Sequence, residues 1–138
     1  MRILALDVGE KKIGMAISDA LGITAQPLKT LIRKNKRDDF KRIGEITRNM
    51  GVSKIIVGLP LNMDGTTGPR ARETYDFVEE LKEGLEIPVQ LWDERLSSLE
   101  ANRILLQADM SRKKRKKIDD KLAAQLILQG YLEGTPHS

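Results

Sequence analysis

The chain has no cysteine and a single histidine. The first absence excludes disulfides, zinc–thiolate centres and thiol nucleophiles. The histidine, His137, stands in a Thr-Pro-His-Ser stretch at the very end, where a frayed terminus is expected rather than a catalyst. Any chemistry therefore falls to carboxylates, hydroxyls, lysines or a metal ion held by oxygen. Aromatic residues are scarce too, at two Phe, two Tyr and one Trp, which is thin material for a platform on which bases stack. No apolar stretch is long enough to span a bilayer, and no signal peptide precedes the first apolar run. A cytoplasmic protein with no membrane contact is the expectation.

What is present describes one globular domain over residues 1–138, with 40% hydrophobic and 32% charged residues. The net charge of +4 is unevenly placed. Arg112, Lys113, Lys114, Arg115, Lys116 and Lys117 are six cations in succession, while the rest of positions 70–138 holds six basic and thirteen acidic residues.

Ile3 to Leu6 read as a buried strand that delivers one acid, Asp7, at its exit. A polar turn over 9–12 leads to a second strand over Ile13 to Ile17. A third follows over 23–32, placed at a sheet edge because Pro27 cannot donate to a ladder. The polar stretch from Arg33 to Asp39 leads into an amphipathic helix with Phe40, Ile43, Thr47 and Met50 on one face. Residues 53–60 are a fourth strand, apolar on both sides. Pro69 opens a second helix with Tyr75, Val78 and Leu85 as its buried stripe. A fifth strand over 88–92 ends on Asp93 and Glu94. Ser97 and Glu100 form a capping box for a third helix that turns Ile104, Leu105 and Ala108 inward, and the last helix runs from Ile118 to Leu132. Helical crossovers make strands one, four and five parallel, and the short turns make the first three antiparallel. The expected fold is a mixed five-stranded α/β sheet with helices on its faces.

Parallel strands exit at one end of a sheet, where ligands gather. Asp7 and either Asp93 or Glu94 should share that rim. Asp120 lies on the stripe of Ala123, Ala124 and Ile127, where an acid is costly unless neutralised; a salt bridge or a helix-start charge is its bland explanation. Converging carboxylates with no histidine or cysteine suit Mg2+ or Mn2+, which can activate water for attack on a phosphodiester.

Four stretches carry a resemblance. They are residues 7–19, from Asp7-Val-Gly-Glu-Lys-Lys; residues 58–69, Gly58 to Pro69; Asp93-Glu-Arg-Leu-Ser-Ser98; and Asp120-Lys-Leu-Ala-Ala-Gln. In this order they resemble the YqgF family of Holliday junction resolvases. The family has a ribonuclease H-like fold and is linked to junction cleavage and to maturation of small-subunit ribosomal RNA precursors. The resemblance implies Asp7, Asp93, Glu94 and Asp120 as metal ligands, with Asp7, Glu94 and Asp120 catalytic. It also implies a nucleic-acid partner, precursor ribosomal RNA or branched DNA, and leaves a homodimer open. One departure stands out. Related resolvases place an acid on strand four, where this chain has Gly58-Leu-Pro, so the missing ligand must come from strand five. Asp93 and Glu94 point to opposite faces of a regular strand; the longer Glu94 is favoured.

Neighbouring groups then acquire roles. Gly58 lets a backbone approach closely, and the loop of Asp64, Gly65, Thr66, Thr67 and Gly68 offers amides and hydroxyls to a phosphate. Arg70 and Arg72 at a helix start, and Arg95 nearer the scissile group, can hold a nucleic-acid backbone. Lys11 and Lys12 either join them or decorate a solvated turn. The run from Arg112 to Lys117 reads as a solvated hinge, as an import signal on composition alone, or, most economically, as a phosphate contact beside Asp120. A non-catalytic nucleic-acid-binding or ribosome-assembly factor on the same fold is the alternative to a nuclease.

Overall fold

Ile3, Leu4, Ala5 and Leu6 are all buried. Such a run, with no polar face, is stable as a strand covered on both sides. The computed structural model describes residues 1–96 and 112–134, with the backbone alone over 112–121. The run becomes β1 (Arg2–Val8), the middle strand of a five-stranded sheet. Around it lie β2 (Lys12–Ser18), β3 (Ala25–Ile32), β4 (Val52–Leu59) and β5 (Val89–Asp93), in the order β3-β2-β1-β4-β5. β1 and β2, and β2 and β3, pair antiparallel, whereas β4 is parallel to both β1 and β5. This is the mixed sheet expected, and β3 with Pro27 is its edge.

Alternation along the strands divides the core into two layers. Leu4, Leu6, Ile55, Val57 and Val89 face one side, where they meet Ile43 of α1 (Lys36–Asn49) and Phe77, Val78 and Leu81 of α2 (Pro69–Gly84). Ile3, Ala5, Ala16 and Ile56 face the other, under Ala123, Ala124, Ile127, Leu128, Tyr131 and Leu132 of α3 (Arg112–Gly134). The aromatics are consumed in packing: Phe40 lies against Phe77 at 5.1 Å, and Trp92 meets Tyr131 edge-on at 5.6 Å. Among the described residues no helix is long and apolar enough to cross a membrane.

Three details differ from expectation. α1 begins at Lys36, inside the polar stretch, because the Asn35 side chain accepts from the Asp38 amide at 2.8 Å and caps the helix. Tyr75 is 39% exposed; the buried stripe of α2 is Ala71, Thr74, Phe77, Val78 and Leu81, one step round the helix from it. The basic run is no hinge. Its backbone is helical and continuous with Ile118 onward, as the good helix propensity of Lys and Arg favours. The expected helix with Ser97, Glu100, Ile104, Leu105 and Ala108, and the tail with His137, lie outside the described residues.

Candidate active site at the carboxyl ends of the parallel strands

β1, β4 and β5 run parallel and bring their carboxyl ends to one rim. On β1, Asp7 has the parity of Ile3 and Ala5, so it belongs to the α3 face of the sheet and is half-buried there. Leu6 pairs with Val57, and one step further along the ladder Asp7 lies alongside Gly58. On β5, Leu91 packs against the α1–α2 layer and Trp92 against the α3 layer. Asp93, the last residue of the strand, continues the alternation and turns away from α3. The chain then enters a single 3-10 turn over Glu94–Leu96, and the Glu94 side chain comes to lie against Gly58 on the α3 face.

Glu94 is 6% exposed. A Cβ built on Gly58 would come within 3.3 Å of Glu94 Cγ and 2.4 Å of Ile127 Cδ1. The end of the Ile127 side chain therefore takes the space that a Cβ at 58 would fill, and the Glu94 side chain packs against the bare Gly58 backbone at its edge. Glycine at 58 suits this close approach rather than a special backbone conformation. Asp120 sits two helical turns before Ile127, on the stripe of buried Ala123 and Ala124. Its side chain is outside the description, as are those of Arg112, Lys113, Lys114, Arg115, Lys116 and Lys117. Among the described residues no group of three or more acids is placed to hold a metal ion; Asp7 and Glu94 are the pair brought together on one face.

Asp93 is engaged elsewhere. Its carboxylate accepts from Arg95 Nε at 3.1 Å and from Arg95 Nη2 at 2.8 Å, and also from the Arg95 amide at 3.0 Å. The guanidinium beside it holds the carboxyl below the ordinary aspartate range. Arg95 Nη1 also donates to the Met63 carbonyl at 3.3 Å. It lies against Gly65, whose φ of +88° is the left-handed conformation glycine adopts freely. Asp93 and Arg95 thus staple the 61–68 loop to the end of β5.

That loop is braced from within. Asp64 Oδ1 accepts from the Thr66 amide at 3.0 Å and the Thr66 hydroxyl at 2.6 Å, which keeps the Asp64 carboxyl below its usual range. Asn62 Nδ2 donates to Thr66 Oγ1 at 2.9 Å. The Thr66 amide and hydroxyl, expected to face a phosphate, are spent on the loop itself. Thr67, Arg70, Arg72, Lys11 and Lys12 are exposed around the same end of the sheet, and Gly68 caps α2.

One arrangement left no mark in the sequence reading. Arg33 Nη1 donates to the Gly9 carbonyl at 2.8 Å, and Arg33 Nε to Asp39 Oδ2 at 3.1 Å. The Arg33 amide bonds the Lys11 carbonyl at 2.9 Å, and the guanidinium lies 5.6 Å over the Phe77 ring. Asp39, 1% exposed, also accepts from the Lys34 amide at 3.1 Å. The clamp fixes the turn that follows Asp7 to the start of α1. No spacing signal announces it, since its partners come from a hairpin turn, a strand end and a helix.

The RuvX family model, described as Holliday junction resolvase, matches residues 1–134. A protein of Halothermothrix orenii is 54% identical over 132 residues, covering 96% of this chain and 94% of its own length. One of Thermoanaerobacter pseudethanolicus is 55% identical over 134 residues, covering 96% of each. Both bear the name "Putative pre-16S rRNA nuclease". Among solved structures, T. thermophilus RuvC in complex with Holliday junction substrate superposes with a TM-score of 0.56 at 15% identity, covering 96% of this chain and 95% of that one. The fowlpox virus Holliday junction resolvase gives 0.53 at 14%, covering 98% and 100%. These distant likenesses speak for the fold, the ribonuclease H-like sheet. By the family match over nearly its whole length, the chain belongs to the RuvX (YqgF) family.

Proposed function

We propose that the chain is a divalent-metal-dependent nuclease that hydrolyses phosphodiester bonds in structured nucleic acid. The observation that carries this reading is the placement of Glu94, buried against Gly58 on the α3 face of the sheet, the face to which Asp7 also belongs. Two carboxylates turned to the same face of the sheet, beside an apolar layer, form a setting that a divalent cation suits. The donor set is oxygen throughout, which fits Mg2+ or Mn2+. Asp7 and Glu94 would hold the ion, with Asp120 of α3 as the third donor. When bound, the ion supplies an activated water and stabilises the leaving oxygen.

The protein's own groups do the rest. Arg95, held by Asp93, and the exposed Arg70 and Arg72 offer cations to the phosphates on either side of the reacting one. Glu94 is buried next to Gly58, with Ile127 over the same residue. The absent strand-four acid, which favoured a non-catalytic assembly factor, counts for less when Glu94 lies against the strand-four position itself. Precursor small-subunit ribosomal RNA is the first substrate to try, because the relatives at 54–55% identity bear that name; a four-way DNA junction is the second.

The test is cleavage of both substrates by one preparation with Mg2+, Mn2+ or chelator. Cleavage should need the metal, and Asp7→Asn should abolish it. Glu94→Gln should lower the rate roughly a hundredfold, the equivalent of about 3 kcal/mol of barrier, with a much smaller loss for Asp93→Asn. Cleavage that survives chelator, or equal losses at 93 and 94, would overturn this assignment.

A further inference from the structure

The segment from Lys29 to Arg48 carries eight basic and three acidic residues. In one dimension the acids Asp38 and Asp39 seem to balance the cations beside them. In three dimensions both are taken. Asp39 is bound by Arg33 at 3.1 Å, and Asp38 faces Arg42 at 3.6 Å while Arg42 also donates to the Ile32 carbonyl. Lys36 is turned to Glu80 of α2 at 3.0 Å. Lys34, Arg37 and Lys41 are exposed, and no ion pair joins them to any described residue. Arg37 and Lys41, four residues apart, lie on one side of α1, and Lys34 stands just before its N-cap residue Asn35, so the three cations run from the start of the helix along it.

The stripe starts at the catalytic end of the sheet. The Arg33 bonds to Gly9 and Lys11 tie the start of α1 to the turn after Asp7. Between that turn and α2 opens a cleft of about 670 Å³, with Lys11, Lys34 and Lys36 on one side and Glu73 and Asp76 on the other. Glu10 also lines it. A polyanion leaving the rim here is repelled by the acidic wall and drawn to the α1 wall.

We propose that Lys34, Arg37 and Lys41 form a second nucleic-acid contact, which takes the phosphate backbone of the substrate's flank as it leaves the active rim. The proposal rests on the nuclease reading for the identity of the polyanion. It adds a path along α1 that is separate from the run at 112–117. Contacts of this kind bind phosphates regardless of base, so the stripe sets affinity and substrate length, with no sequence preference.

The experiment is a salt titration of binding by the Asp7→Asn protein, which removes cleavage from the measurement. The probes are a labelled four-way DNA junction and a labelled hairpin RNA with a single-stranded flank, each also in a trimmed form without the outer arm or flank. Adding Lys34→Gln, Arg37→Gln and Lys41→Gln should flatten the slope of log affinity against log salt by roughly 2.7 on duplex arms and roughly 2.1 on a single-stranded flank. On the trimmed probes the difference should vanish. Lys82→Gln, on α2, serves as the control and should leave the slope alone. The changes Lys113→Gln, Lys114→Gln, Lys116→Gln and Lys117→Gln should flatten the slope on full and trimmed probes alike. An unchanged slope with the triple variant, or an equal effect on trimmed probes, overturns the stripe. Failure of the intact protein to cleave either substrate with metal would instead strike the nuclease reading, which the slopes do not measure.

Discussion

Gly58 is the residue on which the site turns. An added methyl there would sit 2.4 Å from Ile127 Cδ1 and 3.3 Å from Glu94 Cγ, so the Gly58→Ala protein has two collisions to relieve. The first is a packing problem in the apolar layer, and overpacking of this sort costs about 2 kcal/mol. The second displaces the carboxylate proposed to hold the metal. A pair of variants separates them. Gly58→Ala should lower both the denaturation midpoint and the cleavage rate. Adding Ile127→Val, which removes Cδ1, should restore much of the stability and little of the rate. Recovery of both together would mean that Glu94 owes nothing to the space over residue 58. Asp93 shows the converse. One position earlier, as the last residue of β5, it faces the other way, and its carboxylate is bound up with Arg95; Glu94 opens the 3-10 turn that follows.

At the scale of elements, the hairpin of β1 and β2 is held by a clamp that belongs to neither strand. Arg33 comes from the end of β3 and Asp39 from the first turns of α1, and both are turned inward on the hairpin's loop. Removing Arg33 leaves the buried Asp39 carboxylate without its cation, and a broken buried pair typically costs about 3 kcal/mol or more. Arg33→Ala should therefore lower stability by that order in a urea titration. Its cleavage rate, measured where the variant is fully folded, should also fall, because the turn after Asp7 loses its anchor. The double change Arg33→Met with Asp39→Leu should regain stability without regaining the rate. If the rate follows only the folded fraction, the clamp is structural support and has no part in placing Asp7.

For the molecule as a whole, the two apolar layers are complete without an ion. Ile55 and Ile56 are fully buried on opposite faces of β4, and α3 closes one side as α1 and α2 close the other. A bound cation stabilises only through its differential affinity, about 2.7 kcal/mol at a hundred times its dissociation constant. Chelation should thus stop cleavage and leave far-ultraviolet circular dichroism unchanged, with the melting temperature lowered by roughly ten degrees from its value at that metal concentration. Unfolding on chelation would show that the carboxylate rim is part of the core.

Much of this could be read directly from the chain, for a physical reason. A strand buried on both faces has to be a continuous apolar run, so β1 and β4 declare themselves, and the acid at the end of such a run declares the rim. The edge position of β3 follows from the missing amide of Pro27. Asp7, and the need for a second acid from the end of β5, follow from parallel strands sharing an exit. The tertiary structure alone decided what depends on contacts between distant segments. The end of β5 offers both Asp93 and Glu94, and it is the 3-10 turn after Asp93 that brings Glu94 against the bare backbone of Gly58. Arg33, Asp38, Asp39 and Arg42 look like a mixed-charge surface until folding pairs them. Among the cations those pairs leave over are Lys34, Arg37 and Lys41, whose charge is unbalanced only once the partners have been chosen.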